Sequence, residues 1–570
     1  MFLLAITKNG IAQNFKSVKV EEFNIHSSKV TIVTDKFLSD FISEPDGFTI
    51  FESPLIRSPS FRNIIFSQIT YQSTKETLTF FKPCMSGRPI YYHINHKGEF
   101  FCSTHISMMR AAGVPIIENT QALPEFFIYR YVMPPKTLYK NINQLIAGSE
   151  LVLRLINGKW KIVSENKHNP FSMKKKEAEV IDSIAENVIN SLDESIKKLQ
   201  PNKERLAVLL SGGLDSSILF KLCQRNFNLD TSYSTGYPFG DPKKNTEKEY
   251  AQTAAEAFQI KHNYFKGSTK EYLHGVIEGI SKAEEPLNHL QSAMLYLLFK
   301  KGLPKDKDII ISGYGADGIF GDAHQNYLFN SEKFNQILKL QFFYQKIKSA
   351  SLKTGKGQHL VNSIEKKIFP IRTTDNVIWL IDSYGDANWS LQYFNIEKKE
   401  IIQGRWNIIK EFEDRSIYDV ISVLYFFGDD SITQSNWSKL GESQGKILFY
   451  PYINVLNYAY SISWDKKLKE PKNILRHVAR QLNIPDFIVT RPKSGFVINC
   501  KFWAEKGGVL EPLVSPASKV FDEKQIRKMQ SSDPTKAWTF WNMLNYSLWK
   551  RLCINNEPLE ILLEELNETI

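Results

Sequence analysis

The chain has 570 residues, 42% hydrophobic and 23% charged. That is a globular composition, and it excludes disorder, collagen and coiled coil as whole-chain classes. No stretch reaches the roughly 18 apolar residues of a membrane span, and the opening MFLLAITKNG lacks the basic start and long apolar run of a signal peptide. A cytoplasmic protein of two large domains, without membrane contact, is expected. The net charge of +11 comes from 72 Lys and Arg against 61 Asp and Glu. Most of the basic residues are lysines spread along the chain, so anionic ligands are tolerated but nucleic acid is not expected as the substrate. The five cysteines (Cys84, Cys102, Cys223, Cys500, Cys553) form no CxxC pair, which argues against a disulfide framework or a zinc ribbon.

In chain order, residues 1–165 are rich in short strand-like runs. Examples are Thr77–Phe81, Ile90–Ile94 and Leu151–Leu155, with Asn95-His96-Lys97-Gly98 and Asn157-Gly158 as hairpin tips. This half reads as a sheet-rich α+β domain. Residues 166–180 read as a linker, within the polar stretch that holds Pro170 and Lys174-Lys175-Lys176. Ile184, Val188, Leu192, Ile196 and Leu199 then mark an amphipathic helix.

From residue 181 to 570 the texture is α/β. Strands are predicted at Leu206–Leu210, Thr231–Thr235, Asn263–Phe265 and Ile309–Ile311, with helices over Ser216–Gln224 and Glu247–Phe258 and two more before the last strand. Alternation of this kind implies a parallel sheet covered on both faces. The remainder reads as mostly helical and aromatic.

Between the first strand and its helix lies Ser211-Gly212-Gly213-Leu214-Asp215-Ser216-Ser217. Two glycines let the backbone turn tightly and approach a ligand, and hydroxyls with free N–H groups at a helix start grip phosphate oxygens. Asp215 repels phosphate, so its expected job is to hold a bridging Mg²⁺. The GK[ST] ending of a Walker loop is absent. The fourth strand runs into Ser312-Gly313-Tyr314-Gly315-Ala316-Asp317. This second loop belongs at the same sheet edge, with Asp317 as the second carboxylate for the metal.

The SGGxDS segment resembles the pyrophosphate loop of ATP pyrophosphatases, and the two loops together resemble the asparagine synthetase family. Gly87-Arg88-Pro89-Ile90-Tyr91-Tyr92, Pro134-Pro135-Lys136-Thr137-Leu138-Tyr139, Gly148-Ser149, Tyr450-Pro451-Tyr452-Ile453-Asn454 and Arg491-Pro492-Lys493-Ser494-Gly495-Phe496 are similar to further segments of that family. The resemblance implies an N-terminal Ntn-hydrolase-like αββα sandwich. It also implies a C-terminal parallel sheet of the adenine nucleotide alpha hydrolase type with a helical C-terminal part. It implies ATP and Mg²⁺ as cofactors, held by Ser211, Gly212, Gly213, Asp215, Ser216, Ser217, Ser312, Gly313 and Asp317. Lys493 matches the family's cation for the developing negative charge, and Arg491 is a candidate phosphate contact. Glu284-Glu285-Pro286 resembles an acidic-Pro element near the substrate, against the plainer reading of an acid-favoured helix start.

The chain also departs from the family. Phe2 stands where glutamine-hydrolysing members carry the nucleophilic cysteine, and the N-G-E-I-Y-N glutamine segment is missing. The first domain is therefore expected to keep its fold and lack glutaminase activity, with Cys84 and Cys102 as ordinary buried residues. Relatives with an inactive first domain include β-lactam synthetases and lasso peptide cyclases, which join an activated carboxylate to an amine in the same substrate. Tyr314 matches the tyrosine that β-lactam synthetases use, with a glutamate partner, to deprotonate that amine, and the sequence does not place that glutamate. Gly318 and Asn454 stand where the family often has Glu and Asp. An AMP-forming amide synthetase is thus expected, acting on a small molecule or peptide that bears a carboxylate and an amine, with a biosynthetic partner protein allowed for. The alternatives are asparagine synthesis from free ammonia, a tRNA-modifying ATP pyrophosphatase, and a non-catalytic relative that acts as a binding partner.

Overall fold

In the computed structural model the described residues are 2–8, 19–25, 28–34, 40–52, 67–85, 87–167, 179–199, 203–236, 246–321, 325–326, 328–330, 374–412, 415–491 and 500–570. The first half contributes twelve strands: β1 (Phe2–Thr7), β2 (Lys19–Ile25), β3 (Ser28–Thr34), β4 (Asp40–Glu44), β5 (Gly47–Phe51), β6 (Gln68–Gln72), β7 (Thr77–Lys82), β8 (Tyr91–Ile94), β9 (Phe100–Ser103), β10 (Asn143–Gln144), β11 (Ser149–Ile156) and β12 (Lys159–Lys167). They form two six-stranded sheets, ordered β10-β8-β9-β1-β3-β2 and β12-β11-β7-β6-β5-β4. All of the pairings are antiparallel.

The sheets share one core. Phe2, Leu4 and Ile6 of β1 meet Phe48, Ile50, Ile69, Leu78, Phe80 and Leu151 of the facing sheet. Because side chains alternate along a strand, Leu3 and Ala5 point the other way, into a core shared with the helices and the second half. A strand buried on both faces reads as a continuous apolar run, here FLLAI, rather than as an alternating one. The Asn157-Gly158 tip joins β11 to β12, and both residues take positive φ (51° and 70°) as a type I′ turn requires.

After residues 168–178, which lie outside the described set, a helix runs over Ile181–Lys198. Its predicted stripe of Ile184, Val188, Leu192 and Ile196 is fully buried. Five parallel strands follow: β13 (Leu206–Val208), β14 (Thr231–Thr235), β15 (Lys261–Phe265), β16 (Ile309–Ile311) and β17 (Ile447–Phe449). β13-β16-β17 and β14-β15 pair in parallel, and a bridge from Leu209 to Tyr233 joins the two sets. The order is therefore β15-β14-β13-β16-β17. The chain leaves β13 toward one edge and returns at β16 toward the other. The carboxyl ends of β13 and β16 thus flank the topological switch point, where open α/β sheets bind ligands. The short apolar run of β17, between Gly445 and Pro451, escapes a reading of the sequence that treats this region as helical.

Buried charges join the halves. Arg88 pairs with Glu52 and, across to the second half, with Glu442, each at 2.8 Å. Within the second half Lys439 pairs at 2.7 Å with Glu284, whose carboxylate also accepts the Ile106 and Ser107 N–H groups of the first half. Among the described residues no helix is long and apolar enough to cross a membrane.

Candidate active site

A cavity of about 460 Å³ opens at the switch point. Ser211, Gly213, Asp215 and Ser216 of the first loop line it, together with Ser312, Gly313, Tyr314 and Asp317 of the second. The first loop closes on itself. Ser211 N–H donates to Ser216 Oγ (3.2 Å), and Ser216 Oγ donates to the Gly213 carbonyl (3.1 Å). The helix Leu214–Phe227 starts immediately after it. Gly212 lies behind the lining with φ +70°, and a Cβ there would sit 2.3 Å from the Tyr250 carbonyl oxygen. Only glycine fits that turn. Ser217 is carried inward by the first helical turn and is fully buried, behind the residues that line the cavity. The second loop packs directly on the first: a Cβ on Gly313 would lie 3.3 Å from Ser216 N.

Asp215 and Asp317, remote in sequence, converge on a residue that the sequence reading did not single out. Lys472 Nζ bonds Asp215 Oδ2 and sits 2.9 Å from Asp317 Oδ1. Burial opposes its charge, but the two carboxylates outweigh that and hold its pKa above the ordinary lysine value. Lys472 takes a left-handed backbone (φ 57°) just before the helix Asn473–Gln481, which aims it into the site. Two hard oxygen donors that already share one cation are a fitting donor pair for Mg²⁺. Among the described residues no group of three or more His, Cys, Asp or Glu forms a metal cage.

The opposite end of the cavity is acidic and aromatic. Tyr314 Oη donates to Asp429 Oδ2 (3.2 Å), and the Tyr314 ring lies 4.6 Å from that of Trp437. Asp429 also meets His289 Nε2 at 3.2 Å and the Asn288 amide at 3.3 Å. Burial works to raise its pKa, but His289, Arg130 and Tyr314 together hold it well below the carboxylate range. Asp382, which accepts from Tyr131 Oη at 3.0 Å, is pushed up by burial and by the charge of Asp429. Tyr314 is pushed well above 10 by burial and by Asp429. The resemblance calls for a glutamate beside Tyr314; the carboxylate that its hydroxyl meets here is Asp429. Its signal was faint: an Asp pair at a helix start, where acids are common anyway.

Other expected residues fall elsewhere. Lys493 and the residues around it lie outside the described set. Arg491 stacks on Tyr250 (3.3 Å to the ring centre) and donates to the Gly212 carbonyl (3.1 Å), so it braces the back of the first loop. Glu284 is neither at a helix start nor at the cavity. It ends the helix Thr269–Ala283 with φ 55°, and its carboxylate accepts the Ile106 and Ser107 N–H groups at the domain junction. Beside Gly318, a Cβ would meet Asp430 Oδ2 at 2.6 Å, so Asp430 fills the space a larger residue would take. Burial raises the Cys84 thiol to about 12 and also holds the Cys102 thiol well above its ordinary value. Neither is an available nucleophile.

A family model described as "Asparagine synthase" matches residues 187–380 and 450–551, and one described as "Glutamine amidotransferase domain" matches residues 62–161. The chain is 20% identical over 432 residues to the glutamine-hydrolysing asparagine synthetase 1 of Bacillus subtilis (strain 168), covering 73% of this chain and 65% of that one. It is 20% identical over 486 residues to a protein of Mycobacterium tuberculosis (strain H37Rv) named "Putative asparagine synthetase", glutamine-hydrolysing, covering 79% and 70%. The chain therefore spans just under two thirds of the length of the Bacillus relative. With the first model matched over more than half of its residues and both loops at the switch point, the chain belongs to the asparagine synthetase family, with a glutaminase-type first domain.

Proposed function

We propose that the protein is an ATP-dependent, AMP-forming amide synthetase that joins a substrate carboxylate to an amine without hydrolysing glutamine. The observation that carries this reading is the meeting of Asp215 and Asp317 around one cationic point between two phosphate-sized loops. Bound Mg²⁺ would neutralise phosphate charge and make pyrophosphate a better leaving group. Ser211, Ser216 and the N–H groups at the start of the helix Leu214–Phe227 hold the phosphates. Lys472 is a fixed cation beside them, and it stabilises charge that builds as the carboxylate attacks the α-phosphorus. An acyl-adenylate and pyrophosphate result; an amine then attacks the acyl carbon and expels AMP.

For the second step the amine must lose a proton. A free tyrosinate is disfavoured here, and Asp429 is too weak a base to take up a proton. Tyr314 Oη, with its own proton turned to Asp429 Oδ2, therefore presents a lone pair that accepts a hydrogen bond from the amine and orients it while the proton leaves to water. Two features favour an amine carried by the substrate. Phe2 opens β1 with its ring in the sandwich core, and both first-domain thiols are inert. Closure of a lactam or a cyclic peptide fits these features.

The test is pyrophosphate release with hydroxylamine as the trap, run over candidate carboxylates. Asp317→Ala is expected to abolish release; full activity in that variant refutes the metal assignment. Glutamine is expected to add nothing, and glutamine turnover would overturn the inactive-domain reading. Stimulation by ammonium with aspartate would move the assignment to ammonia-dependent asparagine synthesis.

A further inference from the structure

The cavity wall formed by the end of β14 carries two hydroxyls, Ser234 and Thr235, next to apolar Leu209, Met294 and Leu298. Their protons can be traced. Thr235 Oγ1 donates to the Phe265 carbonyl at 3.0 Å. Ser234 Oγ lies 2.8 Å from His262 Nε2, and Ser232 Oγ lies 2.9 Å from His262 Nδ1. The register explains this bridge: Ser232 pairs with His262 across β14 and β15, and Ser234 is two residues along on the same face.

A neutral imidazole has one N–H and one lone pair. Burial drops the His262 pKa to about 4, so the ring is neutral at pH 7. Ser232 Oγ has the Lys261 carbonyl, which can only accept, at 3.5 Å as the outlet for its own proton. With the Ser232 proton on the Lys261 carbonyl, the ring donates from Nδ1 to Ser232 and accepts at Nε2 from Ser234. Both hydroxyls at this wall have then given their protons inward, and they present only lone pairs to the cavity.

We infer that Ser234, oriented by His262, makes this wall an acceptor-only edge that reads the 6-amino group of adenine and rejects purines with a 6-oxo group. The inference rests on the nucleotide reading above and adds the base selectivity and its source. The apolar residues beside Ser234 give the flat ring its contact, and the first loop, reached directly from β13, takes the phosphates. A 6-oxo purine would set its carbonyl against the Ser234 lone pairs, leaving both acceptors without a donor. In this arrangement Ser234 touches the base, and His262 is a positioning residue that acts through it.

The experiment is calorimetric binding of ATP and ITP with Mg²⁺ to the full chain and two variants. The unmodified protein is expected to bind ATP at least about tenfold more tightly than ITP, the cost of a lost hydrogen bond plus an unpaired acceptor. His262→Phe keeps a ring in place and frees the Ser234 proton to face the base. It is expected to shrink the ATP/ITP ratio below about threefold, mainly by improving ITP. Ser234→Ala is expected to weaken ATP and to strengthen ITP, by relieving the opposed lone pairs, which loss of fold would not do. Equal affinities in the unmodified protein, or an unchanged ratio in both variants, overturn the inference while the synthetase reading stands. Binding of neither nucleotide overturns both.

Discussion

Replacing Lys439 with methionine tests how strongly the two halves are held together. Glu284 is buried, accepts two backbone N–H groups of the helix Ile106–Ala111, and pairs with Lys439 at 2.7 Å. Burial alone would raise its pKa; Lys439 and these donors reverse that and draw it from 4.5 to about 2. At about 1.4 kcal/mol per pH unit, such a depression is worth about 3 kcal/mol at neutral pH. The folded-state value lies below the unfolded one, so this stability is present above pH 4.5 and is lost as the pH falls toward 2. In Lys439→Met the burial cost is opposed only by the remaining neighbours, His105 and the backbone donors, and the variant should lose about 3 kcal/mol at pH 7, as expected when a buried pair loses one member. The deficit should shrink as the pH drops through 4.5, because the stranded carboxylate takes up a proton. Adding Glu284→Gln should restore part of the loss. The assay is urea denaturation from pH 7 to pH 3.5, following the first unfolding transition. A deficit below about 1 kcal/mol at pH 7, or one of the same size at pH 4, would refute the reasoning.

Two further outcomes concern the cavity. Lys472→Met leaves Asp215 and Asp317 facing each other; with their side chains 20% and 41% exposed, water screens part of the repulsion and the cost is about 1–3 kcal/mol. Millimolar Mg²⁺ should raise the melting temperature of this variant more than that of the parent, and an equal rise in both would show that the carboxylates do not form a cation site. Gly212→Ala places a side chain at φ +70° and 2.3 Å from the Tyr250 carbonyl, so the loop must shift. ATP affinity should fall at least about tenfold by calorimetry, and an unchanged affinity would show that the loop does not shape the phosphate site.

What could be read from the sequence followed from local physics. Ile309–Ile311 and Thr231–Thr235 are strands to the residue, because short β-branched runs bounded by breakers leave little choice. The two loops were legible because glycine at a strand end has few other uses. Lys472 was not, since one lysine in a polar run looks like any other until folding brings it to Asp215, 257 residues away. Asp429 was hidden in the same way, since its meaning depends on Tyr314, 115 residues earlier. β1 gave no alternating signal because both of its faces are covered. Glu284 misled for a related reason: an acid beside a proline suits a helix start, and only the fold shows it accepting N–H groups from another helix.

The helix Asp429–Glu442 ties the cavity to the first domain. It is about 20 Å long at 1.5 Å per residue, and its two ends do different work. At its start Asp429 holds Tyr314 and His289 in the cavity. At its end Lys439 and Glu442 are gripped by Glu284 and by Arg88 of the first domain. Between them Ser438 packs so closely on Gly87 that a Cβ there would lie 2.3 Å from its hydroxyl. Met85 reaches further, since a Cβ on Gly315 of the second loop would come within 2.8 Å of its methyl group. The Gly87-Arg88 pair, which resembles part of a glutaminase strand, is thus also the surface on which the active-site helix is seated. Removal of the domain would strand Glu442 without Arg88 and uncover the end of the helix that the first domain seats, so the position of Asp429 depends on contacts made by the first domain.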